Sequence, residues 1–329
     1  MSGNAGTAAF ADLLEFDADR ALEEITAWLQ TTVVRTLRRK GVVVGVSGGV
    51  DSSVVMALCA KALGPEHVLA VLSPEADSAP ETLELSRLAV ASSGVQAVEQ
   101  DLTPVLAAFG CYRLRDEIVS ELVPGYTSEW KMKIVLPPIL AASRLRLFTL
   151  VARSPAGEEV TLRLPADAYR ALVAAMNFKQ RARKTLEYYH ADRIGYAVAG
   201  TPNRLEYDQG FFVKNGDGSA DVKPIAHLYK TQVYRLAGVL GLPEEIRSRV
   251  PTTDTYSLSQ TQEEFYFSVP LETLDLCLFA KDRALGAEDV AAVSGLSAGD
   301  VERVFADIDA KRRVAAYLHA PPFLAEPLS

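Results

Sequence analysis

Cysteine is scarce in this chain of 329 residues. The three cysteines, Cys59, Cys111 and Cys277, are odd in number and far apart, and no two of them form a Cys-x-x-Cys pair. This pattern argues against a disulfide framework, and it provides neither the ligand spacing of a zinc site nor the cysteine pair of a persulfide relay. We therefore expect reduced thiols and a cytoplasmic protein.

Long apolar runs and an excess of positive charge are also lacking. No apolar stretch approaches the roughly 20 residues that a membrane-spanning helix needs, and the acidic residues 1–20 show no secretory signal. The net charge of −8 argues against sequence-independent binding of nucleic acid, which needs clustered Lys and Arg. We expect neither a membrane nor a nucleic acid as partner, although a few local donors could still hold a phosphate.

The first hundred residues alternate between short apolar runs and helical patterns. Apolar positions at helical spacing predict a helix over residues 17–39, and Gly41 ends it. Two more helices are predicted at Val54–Leu63 and at residues 81–93. The predicted buried strands are Val42–Val46, Val68–Leu72, Val95–Glu99 and, later in the chain, Tyr196–Ala199. This order predicts an α/β fold with a doubly wound parallel sheet.

The middle of the chain departs from this rhythm. The alternating stretch Arg144–Arg153, a turn-like Ser-Pro-Ala-Gly and the run Val160–Leu164 predict a β-hairpin. A basic helix follows at Asn177–His190, and the chain from about residue 226 is mostly helical by periodicity. We predict one domain over residues 1–280 with an insertion at about 106–172, and a C-terminal helical extension over residues 281–329 packed on it.

The first strand runs directly into Ser47-Gly48-Gly49-Val50-Asp51-Ser52-Ser53, and a helix follows. Glycines let backbone N–H groups converge on an oxyanion, and the helix N-terminus adds partial positive charge. A carboxylate such as Asp51 fits beside bound phosphate if a cation such as Mg²⁺ bridges the two. The Gly-Lys-Ser/Thr ending of the Walker loop is absent. The segment therefore predicts a phosphate site of another class.

This loop resembles the signature of the PP-loop ATP pyrophosphatases, and an ordered set of further motifs resembles the NAD synthases within that superfamily. The resemblance covers residues 17 to about 320 apart from the insertion, and it implies a Rossmann-like fold of the adenine-nucleotide alpha-hydrolase type. The motifs are Asn177-x-x-x-Arg181-x-Arg183, Gly200-Thr201-Pro202-Asn203-Arg204-Leu205-Glu206, residues 210–217, Lys223-Pro224-Ile225, Lys230-Thr231-Gln232-Val233 and Pro251-Thr252-Thr253-Asp254.

The resemblance implies a site for ATP and Mg²⁺. Asp51 and Glu206 would ligate the metal, while Lys230 and Thr252 would hold the leaving pyrophosphate. Thr201 would lie near the adenine and ribose, and Arg181 would help to hold a phosphate. The residues that would cradle the phosphates are Ser47, Gly48, Gly49, Ser52 and Ser53.

The reaction implied is amide formation through an acyl-adenylate. A small-molecule carboxylic acid attacks the α-phosphorus of ATP, Mg²⁺ and a lysine stabilise the charge that builds on the other phosphates, and ammonia displaces AMP. Asp217 is our candidate for binding ammonium and taking its proton. With Asp51, Lys230 and Thr252 it completes the predicted catalytic set. The residues expected on the acid side are Asn177, Lys214, Asp217, Lys311 and Arg312.

The acid side departs from the family pattern. NAD synthases carry Gln-Thr-Asp-Glu-x-Glu-Leu-Gly near the dinucleotide, whereas residues 260–267 here have Gln262 and Phe265 in place of acids and Phe267 in place of glycine. Val213 replaces a threonine, Ala310 replaces a histidine, and the insertion is longer than in the family. The aromatic cluster of residues 265–267 fits core packing as well as a ligand platform.

Three hypotheses for function follow. The first is an ammonia-dependent NAD synthase that forms NAD from its deamido form. The second is a related ligase that amidates another carboxylate or uses another amine. The third, a nucleotide-binding protein without turnover, is disfavoured because Asp51, Glu206, Lys230 and Thr252 are all present.

The nitrogen donor and the assembly are also predicted. With no amidase domain in the sequence, we expect free ammonia as donor, and a separate glutaminase would have to supply it if glutamine is the source. The resemblance implies a homodimer. The apolar face of Leu22, Ile25 and Leu29 fits such an interface, and it would fit packing on the chain's own sheet equally well.

Overall fold

The strands of the computed structural model, which describes residues 10–140, 147–253 and 255–326, form two sheets. Residues 144–146 of the predicted hairpin and Asp254 of the last motif lie outside the described residues. The strands are β1 (Val42–Gly45), β2 (Val68–Leu72), β3 (Gln96–Glu99), β4 (Lys131–Val135), β5 (Thr149–Arg153), β6 (Glu159–Arg163) and β7 (Ala197–Ala199).

Helices account for most of the remaining described chain. A π-helical turn, Thr31–Thr36, continues α2, and another lies at Glu263–Phe267. The helices are α1 (Ala11–Leu14), α2 (Ala18–Gln30), α3 (Val50–Leu63), α4 (Pro80–Ser93), α5 (Thr103–Ala108), α6 (Cys111–Leu122), α7 (Ala166–Ile194), α8 (Arg204–Gln209), α9 (Lys230–Val239), α10 (Glu244–Arg247), α11 (Leu271–Asp282), α12 (Ala287–Ser294) and α13 (Ala298–His319).

The first sheet is parallel, with strand order β3-β2-β1-β7. Alternate residues of its strands enter different cores because side chains alternate across a sheet. Val42 and Val44 of β1 pack with α2, α3 and α9, whereas Val43 packs with α6 and α7. Helices therefore cover both faces, and the predicted doubly wound parallel sheet is confirmed.

The apolar face of α2 packs inside the chain. Leu22, Ile25 and Leu29 are buried in the core formed with β1 and α3. Of the two roles that the sequence left open for this face, it has the one in which it packs on the chain's own sheet. An interface between two copies would have to use another surface.

The second sheet is antiparallel, with strand order β4-β5-β6. Strands β5 and β6 form the predicted hairpin. Strand β4 was missed: Met132 and Ile134 alternate with lysines and point into the core, but the strand is short and two prolines follow it. The predicted helix at Asn177–His190 is the central part of α7, which has 29 residues.

The three cysteines lie in the protein interior as free thiols. Burial raises the pKa of Cys59 to about 12 and that of Cys111 to about 11. Neither thiol is therefore poised to act as a nucleophile at neutral pH, since the thiolate is the reactive form. No helix among the described residues is long and apolar enough to cross a membrane.

Candidate active site

The turn between β1 and α3, with the first turn of α3 (residues 47–53), is here named the phosphate turn and forms the floor of the site. Gly49 precedes α3 in an extended conformation, and no side chain caps the helix there. The first turn of α3 is thus a place where backbone N–H groups can meet an anion. Gly48 has a φ of +69°, which favours glycine. A Cβ on it would lie 2.8 Å from both Leu85 Cβ and Thr82 O of α4.

The three serines of the turn do different things. Ser47 Oγ and Ser52 Oγ are 3.3 Å apart, and both side chains face the cavity described below. Ser53 is fully buried, and its hydroxyl donates to Gly49 O at 2.9 Å. Ser53 and Gly48 therefore shape the turn without lining the cavity.

A buried ion pair joins α3 to α9 at this floor. Lys230, the first residue of α9, is 1% exposed, and its Nζ bonds to the Asp51 carboxylate. Burial alone would lower the pKa of Lys230, but the charges of Asp51 and Glu206 outweigh it and raise that pKa. The ammonium is therefore held charged beside the phosphate turn.

Asn203 connects the two predicted metal-binding carboxylates. Its Oδ1 accepts from Glu206 N at 3.2 Å, and Glu206 Oε2 accepts from Asn203 N at 3.1 Å, so the two residues form a capping box at the start of α8. The Asn203 Nδ2 group also donates to Asp51 Oδ1 at 3.1 Å. No role was predicted for Asn203, although its position three residues before Glu206 is the capping signal.

Glu206 lies in a buried environment that disfavours its ionised form. Burial raises its pKa to about 8, and the neighbouring charge of Asp51 contributes in the same direction. Its Oε1 accepts from Gln262 Nε2 at 3.0 Å. Asp51 and Glu206 both bond to Asn203, and two neighbouring carboxylates repel each other when both are ionised. A cation between them would relieve this repulsion.

Asp275 of α11 fixes the start of α9 from outside that helix. One of its carboxylate oxygens accepts from Lys230 N at 3.2 Å and the other from Thr231 N at 2.8 Å. The residue is fully buried, and burial raises its pKa to about 6. Sequence reasoning missed Asp275, because it lies 45 residues from Lys230 in an ordinary helical pattern.

These groups open into one cavity of about 870 Å³, which runs from the phosphate turn past α7 to α13. It brings together most of the residues that the motifs predicted. The predicted residues that line it are Ser47, Gly49, Asp51, Ser52, Asn177, Thr201, Glu206, Asp217, Lys230 and Thr252.

Besides Gly48 and Ser53, four predicted residues lie away from the cavity lining. Arg181 is exposed and donates to Lys214 O at 3.4 Å, while Lys214 Nζ donates to the carbonyls of Tyr317 and Ala320. Lys311 Nζ donates to Tyr266 O. Arg312 pairs with Asp208 and Asp282. In this chain these four groups tie elements together, and Arg183 is the arginine of the Asn177 motif that lines the cavity.

The cavity also contains charged groups that the motifs did not predict. Lys179 is 1% exposed and pairs with Glu75 at 2.9 Å and with Asp77 at 2.6 Å. Lys184 and Glu187 form a buried pair at 2.5 Å. Lys179 and Lys184 are five residues apart on α7, so helical spacing does not place them on one face, and the acids that pair with Lys179 come from the loop after β2.

The fold and site define the class of the protein. A parallel strand, a glycine turn and an uncapped helix, with a buried lysine and two carboxylates beside them, have the arrangement expected of a PP-loop phosphate site on a Rossmann-like sheet. The model of the NAD synthase family matches residues 21–130 and 158–314. The chain belongs to the NAD synthase family.

Individual relatives agree with this assignment. The chain is 54% identical to the "NH(3)-dependent NAD(+) synthetase" of Rhizobium meliloti (strain 1021), over 97% of this chain and 95% of that protein. It is 35% identical to the protein of the same name from Thermotoga maritima, over 76% of this chain and 84% of that protein.

Solved structures share the fold. An NMN synthetase from Francisella tularensis aligns with a TM-score of 0.65 at 20% identity, covering 94% of this chain and 98% of that one. An NH3-dependent NAD synthetase from Campylobacter jejuni aligns with a TM-score of 0.61 at 22% identity, covering 94% of this chain and all of that one. At these identities the likeness concerns the architecture alone.

We predict that Gly48→Ala lowers the melting temperature more than Gly94→Ala does. Both glycines have positive φ, so each alanine costs about 1–2 kcal/mol in backbone energy. Only a Cβ at residue 48 meets α4, since nothing lies within 4 Å at Gly94. Thermal unfolding of both variants tests this, and equal shifts would contradict the packing account.

We predict that Asn203→Ala removes most pyrophosphate release from ATP, while Ser297→Ala leaves it intact. Each variant removes a helix N-cap, which costs about 0.5–2 kcal/mol of stability. Only Asn203 also holds Asp51 and Glu206 together. Melting temperatures and initial rates of both variants provide the comparison, and full activity of Asn203→Ala would show that the carboxylates position themselves without it.

Proposed function

We propose that this chain is an ammonia-dependent ligase that converts deamido-NAD to NAD, with ATP cleaved to AMP and pyrophosphate. The observation that carries the proposal is the gathering of Asp51, Glu206 and Lys230 at the end of the phosphate turn, in a chain that belongs to the NAD synthase family. Two curated relatives are named for this activity, and the chain aligns with 95% and 98% of their lengths.

The proposed role of the turn and of Lys230 is to hold the phosphates of ATP. The turn would bind them through its backbone N–H groups and the Ser47 and Ser52 hydroxyls. Lys230 would leave Asp51 for the β and γ phosphates, where charge builds as the substrate carboxylate attacks the α-phosphorus. Thr252, which also lines the cavity, would hold the departing pyrophosphate.

The chain's own donors fit Mg²⁺ bound together with ATP. Among the described residues no cluster of three or more His, Cys, Asp or Glu side chains could hold a metal. Mg²⁺ is usually held by one or two carboxylates plus substrate phosphates, and Asp51 and Glu206 provide that number. When bound, Mg²⁺ neutralises charge on the phosphates.

Asp217 is the proposed site for ammonium. Its Oδ1 accepts from Val213 N at 2.7 Å, and burial raises its pKa. A carboxylate with a raised pKa at the cavity wall suits a group that binds a cation and then takes its proton. This role requires the acyl-adenylate to form before Asp217 acts.

The altered acid side makes a different carboxylate the alternative. Gln262 and Phe265, which replace family acids, line the cavity, whereas Phe267 is fully buried in the core. Of these three changes, only the first two can therefore act on a substrate directly. Val213, which replaces the family threonine, also lines the cavity. The names of the curated relatives favour deamido-NAD over another acid.

We also propose a homodimer in the cytoplasm. The buried free thiols suit a reducing compartment. The dimer rests on the family resemblance and would use a surface other than the buried face of α2. Sedimentation of the purified chain tests the dimer, and a monomer at micromolar concentration would contradict it.

We predict that the purified chain forms NAD, AMP and pyrophosphate in equal amounts from deamido-NAD, ATP, Mg²⁺ and ammonium. Glutamine in place of ammonium should give little NAD, because no glutaminase is supplied. Chromatographic quantification of the three products measures this. Pyrophosphate release that depends on a different carboxylate would favour the alternative acid, and robust turnover with glutamine would overturn ammonia as the donor.

We predict that Asp217→Asn forms the adenylate but loses most amide formation. The amide cannot take a proton from ammonium, while the phosphate turn and Lys230 are untouched. Rapid-quench detection of adenylated substrate, with NAD measured in parallel, separates the two steps. Wild-type turnover in this variant would remove Asp217 from the mechanism.

A further inference from the structure

Residues 131–157, which contain β4 and β5, fall outside the two segments that the family model matches. They do not stand apart from the site. Strand β4 lies against residues 257–268, here named the wall segment. This segment contains Gln262 and Phe265, which line the cavity.

The first half of the wall segment is bonded along β4. Met132 N donates to Ser257 Oγ at 2.9 Å, and Leu258 N donates to Met132 O at 3.1 Å. Gln260, which is 1% exposed, donates from Nε2 to Ile134 O at 2.5 Å. These bonds are buried or half-buried, so losing one would leave a polar group poorly satisfied.

The second half is held by the residues that follow β4. Leu136 N donates to Glu264 O at 3.0 Å, and Ile139 N donates to Ser268 O at 3.1 Å. Lys133 Nζ lies 3.3 Å from the Glu264 carboxylate, a half-exposed pair that contributes little by itself. The backbone bonds therefore extend the attachment to the end of the wall segment.

The wall segment is itself hydrogen-bonded to predicted catalytic and metal-binding groups. Thr253 N donates to Gln260 O at 2.9 Å, and Gln262 N donates to Pro251 O at 3.0 Å, so Thr252 is held in a short bridge. Gln262 Nε2 in turn donates to Glu206 Oε1 at 3.0 Å. An unbroken series of bonds thus joins β4 to Thr252 and Glu206.

The sheet of β4, β5 and β6 is here named the inserted sheet, because β4 and β5 fall outside the family model's matches. This sheet is itself anchored on the main fold. Met132, Ile134 and Leu150 are fully buried, and they share a core with Leu172 and Met176 of α7. Helix α7 lies along the cavity and packs on β1. The inserted sheet therefore connects the wall segment rigidly to the strand that carries the phosphate turn.

We propose that the inserted sheet is a positioning element that holds the wall segment in its active arrangement before substrate binds. The proposal rests on the proposed function, because it assigns the order to groups that handle ATP. An insertion with no role at the site would not need these hydrogen bonds to the wall segment. With the sheet in place, the free energy of ATP binding is not spent on ordering Thr252 and Gln262.

The double variant Ser257→Ala, Gln260→Leu tests the proposal. It removes two side-chain bonds to β4 and leaves the cavity-lining groups unchanged. We expect the KM for ATP to rise about tenfold, with kcat within about twofold of wild type. A tenfold rise corresponds to a free enzyme in which about a tenth of the molecules have the wall segment arranged to bind ATP. Arg153→Ala is the matched control, since Arg153 is exposed and pairs with Glu159 within the same sheet.

Amide hydrogen exchange of the substrate-free enzyme provides the second readout. Residues 257–268 should exchange slowly in wild type and in Arg153→Ala, and fast in the double variant, with Mg²⁺ and ATP restoring protection. Fast exchange of this segment in the free wild-type enzyme would overturn the proposal. So would fast exchange in the double variant with an unchanged KM. Absence of NAD formation by wild type would instead contradict the proposed function, and the exchange result would stand apart from it.

Discussion

The site depends on one buried ion pair, between Lys230 at the start of α9 and Asp51 in the first turn of α3. A buried ammonium is tolerated only with a partner charge and further hydrogen bonds. Here Asp275 binds the backbone of the lysine, and Asn203 binds the carboxylate of Asp51. Because these groups come from α3, α9, α11 and the N-cap of α8, the pair and its supporting bonds are complete only when all four helices are docked.

The same pair gives the site groups that suit a charged ligand. Glu206 adds a second carboxylate beside Asp51, and burial together with the charge of Asp51 raises its pKa. Arrival of a metal with triphosphate would give the carboxylates a cation and the lysine an anion. We therefore propose that the charges of Lys230, Asp51 and Glu206 satisfy one another in the free chain and that substrate contacts replace these contacts on binding.

Local patterns in the sequence were enough to predict the parallel strands and the phosphate turn, since short apolar runs and the Ser-Gly-Gly turn are encoded within a few residues. Contacts between distant residues were not predictable in the same way. In the sequence, Asp275 does not differ from any other polar residue of a helix. The alternation of buried and exposed residues in β4 covers only five residues and is followed by two prolines, so it cannot be distinguished from a loop. Arg181 and Lys311 matched family motifs, but their side chains bond to carbonyls outside the cavity lining.

The most direct test of the central claim is a crystal structure of the chain with Mg²⁺ and a non-hydrolysable ATP analogue. The account predicts a cation bound by Asp51 and Glu206, the phosphates on the turn at Ser47–Ser52, and Lys230 moved from Asp51 to the terminal phosphates. A nucleotide bound in the cavity with Lys230 still paired to Asp51, and no cation on either carboxylate, would contradict it.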